Sequence, residues 1–363
     1  MKQVRVMLLL IAVITGLFIL TGCTNDDPVI QPDADDDSPP LASSINVFNW
    51  GEFINPDVLR MFRDETGINV IYETYATNEE MYQRVRTAAG AGFDVLFPSD
   101  YMIERMINQG MLARLNWDNI PNAEHIDYRF WDMPFDPNNE YSVPYMWGTF
   151  GIMYNTTMVE EPVYSWASLW NPRYTNQIFM YYASRDTMGA ALRYLGFSLN
   201  STNIDEVNAA RDLLIQQRPL VRAFLGDAIK DMMINRDGAL ATVFSGDAVW
   251  ARQDNPDLNF VVPIEGTQIF LDSMVIPSTS TRQREAEMFI NFMTHPDIAY
   301  LNTTYVMYST TNATTFAMLP DYMRECLIYW PPDDVFYRLE AFSDLGDFKD
   351  EFERAWTEVL AAN

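Results

Sequence analysis

The stretch Ile45-Asn46-Val47-Phe48-Asn49-Trp50-Gly51-Glu52-Phe53 decides how this chain is read. Its first residues alternate apolar and polar, the pattern of a β-strand with one face in a core. Then Trp50, Glu52 and Phe53 gather around a glycine, just before Asn55-Pro56, an N-cap with proline at the first helical position. Open α/β sheets hold their ligands outside the C-terminal ends of the strands. A large ring beside a carboxylate at such a tip suits an organic cation. The competing reading has Trp50 simply capping the core.

Working outward, Val58, Leu59 and Phe62 mark the apolar face of a helix that Gly67 stops. Ile68 to Tyr75 alternates as a second strand. Thr77-Asn78-Glu79-Glu80 is a capping box, and Met81, Val85 and Ala88 give the buried face of the helix running toward Gly90. Phe93 to Phe97 is a short third strand, broken by Pro98-Ser99-Asp100-Tyr101, which opens a helix carrying Met102, Ile103, Met106 and Ile107. Strand and helix alternating three times predict a parallel sheet wound with helices. The strand tips carry Trp50, Glu52, Ser99 and Tyr101.

The middle of the chain predicts a second α/β domain, entered through an extended crossing from Tyr141 to Tyr154. Strands are expected at Ile178 to Tyr182, Ala239 to Phe244 and Leu258 to Pro263. Ser184-Arg185-Asp186 and Ser245-Gly246-Asp247 open two of its helices, and Ile204 to Arg218 is an amphipathic helix ended by Pro219. Gln268 to Ile276 is the return crossing, whose alternation puts Phe270 and Asp272 on one side. Helices follow to Val306-Met307-Tyr308, and Phe348 to Leu360 closes the chain. The expected lobes are 44–145 plus 273–320 and 146–272, with a C-terminal helical segment at 321–363. Two domains joined by extended crossings imply a hinge and a cleft.

At 363 residues, with 48% hydrophobic and 14% aromatic residues, the chain suffices for two cores and is not a disordered one. A net charge of -26 argues against nucleic acid or an anionic membrane surface as partner. Lys2 and Arg5 followed by the apolar run Met7 to Leu20 read as a targeting segment. Leu20-Thr21-Gly22-Cys23 resembles a bacterial lipobox. Residues 1–22 are then a signal peptide, Cys23 is lipidated, and 23–43, with Asp35-Asp36-Asp37 and Pro39-Pro40, is an acidic, proline-bearing tether. An uncleaved signal anchor is the alternative. Cys326 is left without a partner, so no disulfide framework is expected. With His125 and His295 the only histidines, and no zinc-type spacing or phosphate-cradling glycine loop, no cofactor or metal is expected.

Several segments together resemble one family. Phe48-Asn49-Trp50 with Glu52, Asp64-Glu65-Thr66-Gly67-Ile68, Pro98-Ser99, Pro144-Tyr145-Met146-Trp147-Gly148, Arg252-Gln253 and Asp272-Ser273 stand where the spermidine/putrescine-binding receptors of ABC importers have theirs. The likeness runs from about Ser44 to the closing helix. It implies a two-lobed α/β periplasmic-binding-protein fold of type II, which captures a polyamine by hinge closure and delivers it to an ABC permease. It further implies a non-enzymatic monomer, held by its lipid outside the bacterial cytoplasmic membrane or in the periplasmic space.

Carried over residue by residue, the resemblance assigns ligand contacts to Trp50, Glu52, Ser99 and Tyr101 in the first lobe. Asp186 and Asp247 become acids for ammonium groups, Phe244 and Phe270 stand where relatives have tryptophan, Asp272 is the central acid, and Tyr308 a late aromatic. Gly51 and Phe53 depart from the pattern, removing two polar contacts. Ala183 lacks the additional aspartate of spermidine-type members, which with Asp247 retained leans toward putrescine. Phenylalanine offers a weaker cation–π face than tryptophan, so weaker binding or a different amine is expected. Such residues also have plainer uses: Asp186, Asp247 and Ser99 as helix caps, Tyr101 and Tyr308 as half-buried tyrosines. The rival functions are a surface glycoside hydrolase with paired carboxylates, a receptor for another cation, an amino acid or a sugar, and a binding scaffold serving as an adhesin or signalling co-receptor.

Overall fold

The computed structural model describes residues 40–87 and 92–362; the expected signal peptide, lipidated Cys23, most of the tether, and Ala88 and Gly90 lie outside them. Strand β1 (Ser44–Trp50) runs parallel to β2 (Asn69–Tyr75) on one side and β3 (Val95–Leu96) on the other. Helix α1 (Pro56–Thr66) joins β1 to β2. The Asn55 side chain accepts from the Asp57 amide, and Gly67 ends the helix in a left-handed conformation that needs no Cβ. Before α2 (Asn78–Thr87) the capping box forms in relaxed shape. Thr77 Oγ1 accepts from the Glu80 amide at 3.1 Å, and Glu80 reaches back to the Ala76 amide at 3.0 Å. Helix α3 (Asp100–Asn108) follows β3.

Strand β4 (Ser142–Asn155) is the long crossing, buried over nearly its whole length. The second strand set is β5 (Ile178–Tyr181), β6 (Val221–Leu225), β7 (Leu240–Phe244) and β8 (Leu258–Val261), followed by the return strand β9 (Thr267–Val275). Helices α4 (Ser184–Tyr194), α5 (Ile204–Gln217), α6 (Ile229–Ile234) and α7 (Ser245–Asp254) are interleaved with them. Two short strands complete the set, β10 (Ser309–Thr310) and β11 (Leu339–Ala341). Sheet order is β2-β1-β3-β9-β4-β7-β5-β6. The early half of β4 pairs antiparallel with β9 and β10, its late half with β7 and β8. Strand β6 has no counterpart in the sequence reading, because Val221-Arg222-Ala223 follows a proline-broken helix without clear alternation.

Two large hydrophobic cores sit on either side of these crossings. One holds Val47, Phe48, Phe62, Val95, Phe97, Trp147, Met274 and Phe289; the other Phe150, Trp166, Met180, Leu192, Leu214 and Phe352. The division falls within β4, between Trp147 and Phe150. From Leu41 onward the chain is one compact unit. In the C-terminal stretch 321–363, the closing helix, Lys349–Ala361, sends Phe352, Ala355, Trp356 and Val359 into the second core, and Ile328 packs into a smaller cluster beside α7.

Candidate ligand-binding site

The sheet brings the tips of β1 and β3 beside β9. Trp50 is half-buried on Tyr75, ring centroids 4.6 Å apart, and its indole N–H donates to the Phe97 carbonyl at 2.8 Å. After Gly51, Glu52 takes a left-handed backbone (φ 53°), uncommon for a non-glycine residue. Its exposed carboxylate lies 3.4 Å from Lys230 Nζ. Ser99 occupies the N-cap position of α3 without capping it. Its hydroxyl instead donates to Asp272 Oδ1 at 2.6 Å, across an antiparallel bridge between the two residues. The Asn78 amide donates to both the Ser99 and Tyr101 hydroxyls, at 3.1 and 3.2 Å, and Tyr101 donates to Glu79 at 3.0 Å.

Alternation along β9 sets Gln268, Phe270 and Asp272 on one face. Asp272 is 4% exposed, and among the described residues no lysine or arginine pairs with it. Burial pushes its carboxyl up to about 7, against the pull of the Ser99 hydrogen bond. Phe270 is packed edge-on between Phe244 and Tyr308, centroids 5.2 and 5.8 Å away, and Phe53 meets Tyr308 at 5.3 Å. Two glycines make this cluster possible. A Cβ at Gly148 would stand 2.8 Å from the Phe270 ring, and one at Gly246 would stand 2.4 Å from the Tyr308 ring.

Asp186 lies in the first turn of α4, half-buried. Burial raises its carboxyl to about 6, opposed by its own backbone N–H, by Arg185 and by a hydrogen bond with Gln268. Arg185 itself is buried over the Phe342 ring at 4.3 Å and donates to Asn200. Gln268 Oε1 is buried without a hydrogen-bond partner among the described residues, a costly state for an amide oxygen. It is one acceptor left over beside Asp186.

Asp247, buried in the first turn of α7, has a cation already. Lys230 Nζ stands 3.4 Å from its Oδ1, and the Tyr308 hydroxyl also hydrogen-bonds it. Burial pushes the Asp247 carboxyl up against that pull. Burial works against the Lys230 charge too, but Asp247, Asp227 and Glu52 outweigh it and hold the lysine above its ordinary value.

Nine of the ten expected contacts therefore fall into groups, and Trp50 stands apart on Tyr75. Ser99 meets Asp272; Phe244, Phe270 and Tyr308 form one ring cluster; Tyr308, Asp247, Lys230 and Glu52 form a polar chain; Tyr101 and Asp186 lie beside Arg185. Tyr181 senses the charges of both Asp247 and Asp186, and Tyr75, under Trp50, that of Asp272. Sequence reasoning missed Lys230 and Gln268. A groove of about 780 Å³ lined by Tyr164, Arg252, Phe260, Cys326 and Pro332 includes none of the ten.

The model of the bacterial extracellular solute-binding proteins matches residues 88–331. The spermidine/putrescine-binding periplasmic protein of Salmonella typhimurium is 33% identical over 315 residues, 86% of this chain and 90% of that one. This chain belongs to that family of extracellular solute-binding proteins. Solved structures agree. A Listeria monocytogenes protein assigned to a spermidine/putrescine ABC transporter superposes with a TM-score of 0.85 at 37% identity, over 89% of this chain and 100% of that one. The spermidine/putrescine substrate-binding protein PotD of Streptococcus pneumoniae gives 0.77 at 36%, covering 88% and 100%. Membership fixes the mixed α/β periplasmic-binding-protein fold, an extracytoplasmic location, and a binding protein rather than the glycoside hydrolase weighed above.

Proposed function

We propose that this protein captures a polyamine between two lobes, divided near 145/146 and 272/273, and hands it to the permease of an ABC importer. The observation that carries the reading is Asp272, a buried carboxylate with a hydroxyl for company and, among the described residues, no cation. Removing such a group from water is costly unless something replaces the hydration. An alkylammonium does so, and the neighbouring phenyl rings cover the methylenes that follow it. Asp186, with the spare Gln268 oxygen beside it, is a second place for an ammonium, and Ser99, Tyr101 and Trp50 complete the first-lobe wall. Strand β4, which sends Trp147 into one core and Phe150 into the other, forms the hinge with its antiparallel partner β9. The lipobox-like Leu20-Thr21-Gly22-Cys23 supports a lipid anchor at Cys23 holding the receptor at the membrane.

Thermal shift and calorimetry with putrescine, spermidine, spermine, lysine, arginine and a sugar panel test this. Only a true ligand stabilises by mass action. Stabilisation by polyamines and not by sugars is expected. Stabilisation by a sugar or amino acid with none from any polyamine would overturn the assignment.

A further inference from the structure

The chain contains three lysines, at 2, 230 and 349, against 21 arginines. One of the three, Lys230, lies between Glu52 and Asp247. The Lys230 side chain is 15% exposed, on the six-residue helix α6. Its Nζ lies 3.4 Å from Glu52 on the β1 turn, 3.4 Å from Asp247 at the start of α7, and 5.4 Å from the Trp250 ring centroid. Asp227, on the loop before α6, adds a further negative charge facing it. Two carboxylates and a ring face around a primary ammonium make up the constellation that a polyamine end would seek. An arginine could not imitate it, because a guanidinium is a planar fork, whereas lysine ends in four methylenes and a compact ammonium. That is the aminobutyl group of a polyamine, tethered to the backbone.

We propose that Lys230 is a resident ammonium that fills the Asp247 end of the slot and sets selectivity for short diamines over longer triamines. This rests on the polyamine reading of the site. With Asp247 and Glu52 engaged by the protein's own charge, the places for ligand ammoniums are Asp272 and Asp186. A third ligand ammonium extending toward Asp247 meets a like charge, and specificity is as often built from such repulsion as from attraction. Asp247 then marks where the ligand stops, rather than a contact that holds it.

Calorimetry of putrescine and spermidine against wild type, Lys230→Gln and the near-isosteric Lys230→Met tests this. Both variants should raise spermidine affinity at least tenfold relative to putrescine, and Asp247→Asn added to Lys230→Gln should cancel that gain. An unchanged ratio, or equal weakening of both amines, would overturn the proposal and make Lys230 a plain lobe-to-lobe tie. Amine binding by the variants alone would overturn it, since the wild type would then select no diamine. If no amine binds wild type or either variant, the polyamine reading itself falls and this one with it. A readout needing no variant is the lysine Nζ resonance in ¹⁵N-lysine-labelled protein. The Lys230 signal should persist when putrescine saturates the site, and its displacement to a solvent-exposed shift would contradict residency.

Discussion

Asp272 and Asp247 are both buried but differ in charge partner: Lys230 pairs with Asp247, and among the described residues nothing cationic pairs with Asp272. A paired buried charge is structurally settled; an unpaired one is an invitation to a ligand. The difference teaches that an aspartate matched to a family of amine receptors need not hold amine. What decides is whether the protein has already supplied the counter-charge.

The largest effect should come from the unpaired end. Asp272→Asn leaves a bound ammonium without its carboxylate, and breaking a buried pair costs about 3–5 kcal/mol. Polyamine affinity in calorimetry should fall at least a hundredfold. The same variant should stabilise the ligand-free protein at pH 8, raising its Tm by a few degrees, since about 1 kcal/mol is worth roughly 2–4 °C in a large domain. The sign follows from the raised carboxyl. An acid whose folded pKa lies above its unfolded one contributes stability below the unfolded value, and that stability is lost as pH rises through about 7. An affinity unchanged by the substitution would erase the distinction between the two ends.

Next in size is the pH dependence of binding. An ammonium favours ionised Asp272, so binding must expel a proton wherever the free protein holds one. Affinity should be level above pH 8 and fall about tenfold per unit below pH 7, more steeply below 6 where Asp186 joins. A titration flat from pH 8 to 5.5 would show that neither acid meets the amine.

A smaller effect is expected from the glycine that seats the rings between the two ends. Gly246→Ala puts a methyl into Tyr308, whose ring must shift. Overpacking of this kind costs about 1–3 kcal/mol, so the loss in affinity should reach roughly tenfold with the fold intact by circular dichroism. Phe270→Trp sharpens the same point. The ring is 5% exposed and bounded by Gly148, Phe244 and Tyr308. A larger indole should therefore weaken binding, although its open cation–π face would be the better one. Smallest of all, Trp50→Phe removes the bond to Phe97, worth about 1 kcal/mol, and should lower Tm by a few degrees at most.

Much of the frame was legible because short-range chemistry specifies it. Asn55-Pro56 and Gly67 bound α1 as expected, and alternation along 268–276 correctly placed Phe270 and Asp272 on one side. The acids and rings could be listed, but their partners could not. Ser99 looks like a helix cap in sequence; it turns instead to Asp272, 173 positions away, because the β3–β9 pairing brings the two together. Gly148 and Gly246 carry no local mark of the rings that crowd them. Lys230 lies in a short helix of ordinary composition, and its meaning comes only from Glu52, 178 positions earlier, and Asp247 on the next helix. Its rarity in an arginine-dominated chain was the one signal that could have drawn notice.

The most direct test counts protons. Calorimetry of putrescine at pH 6.5, in two buffers of different ionisation enthalpy, measures how many are released on binding. With Asp272 at about 7 and Asp186 at about 6, close to one proton should leave per ligand bound. Tight binding with no proton released, or with protons taken up, would contradict an ammonium seated on Asp272.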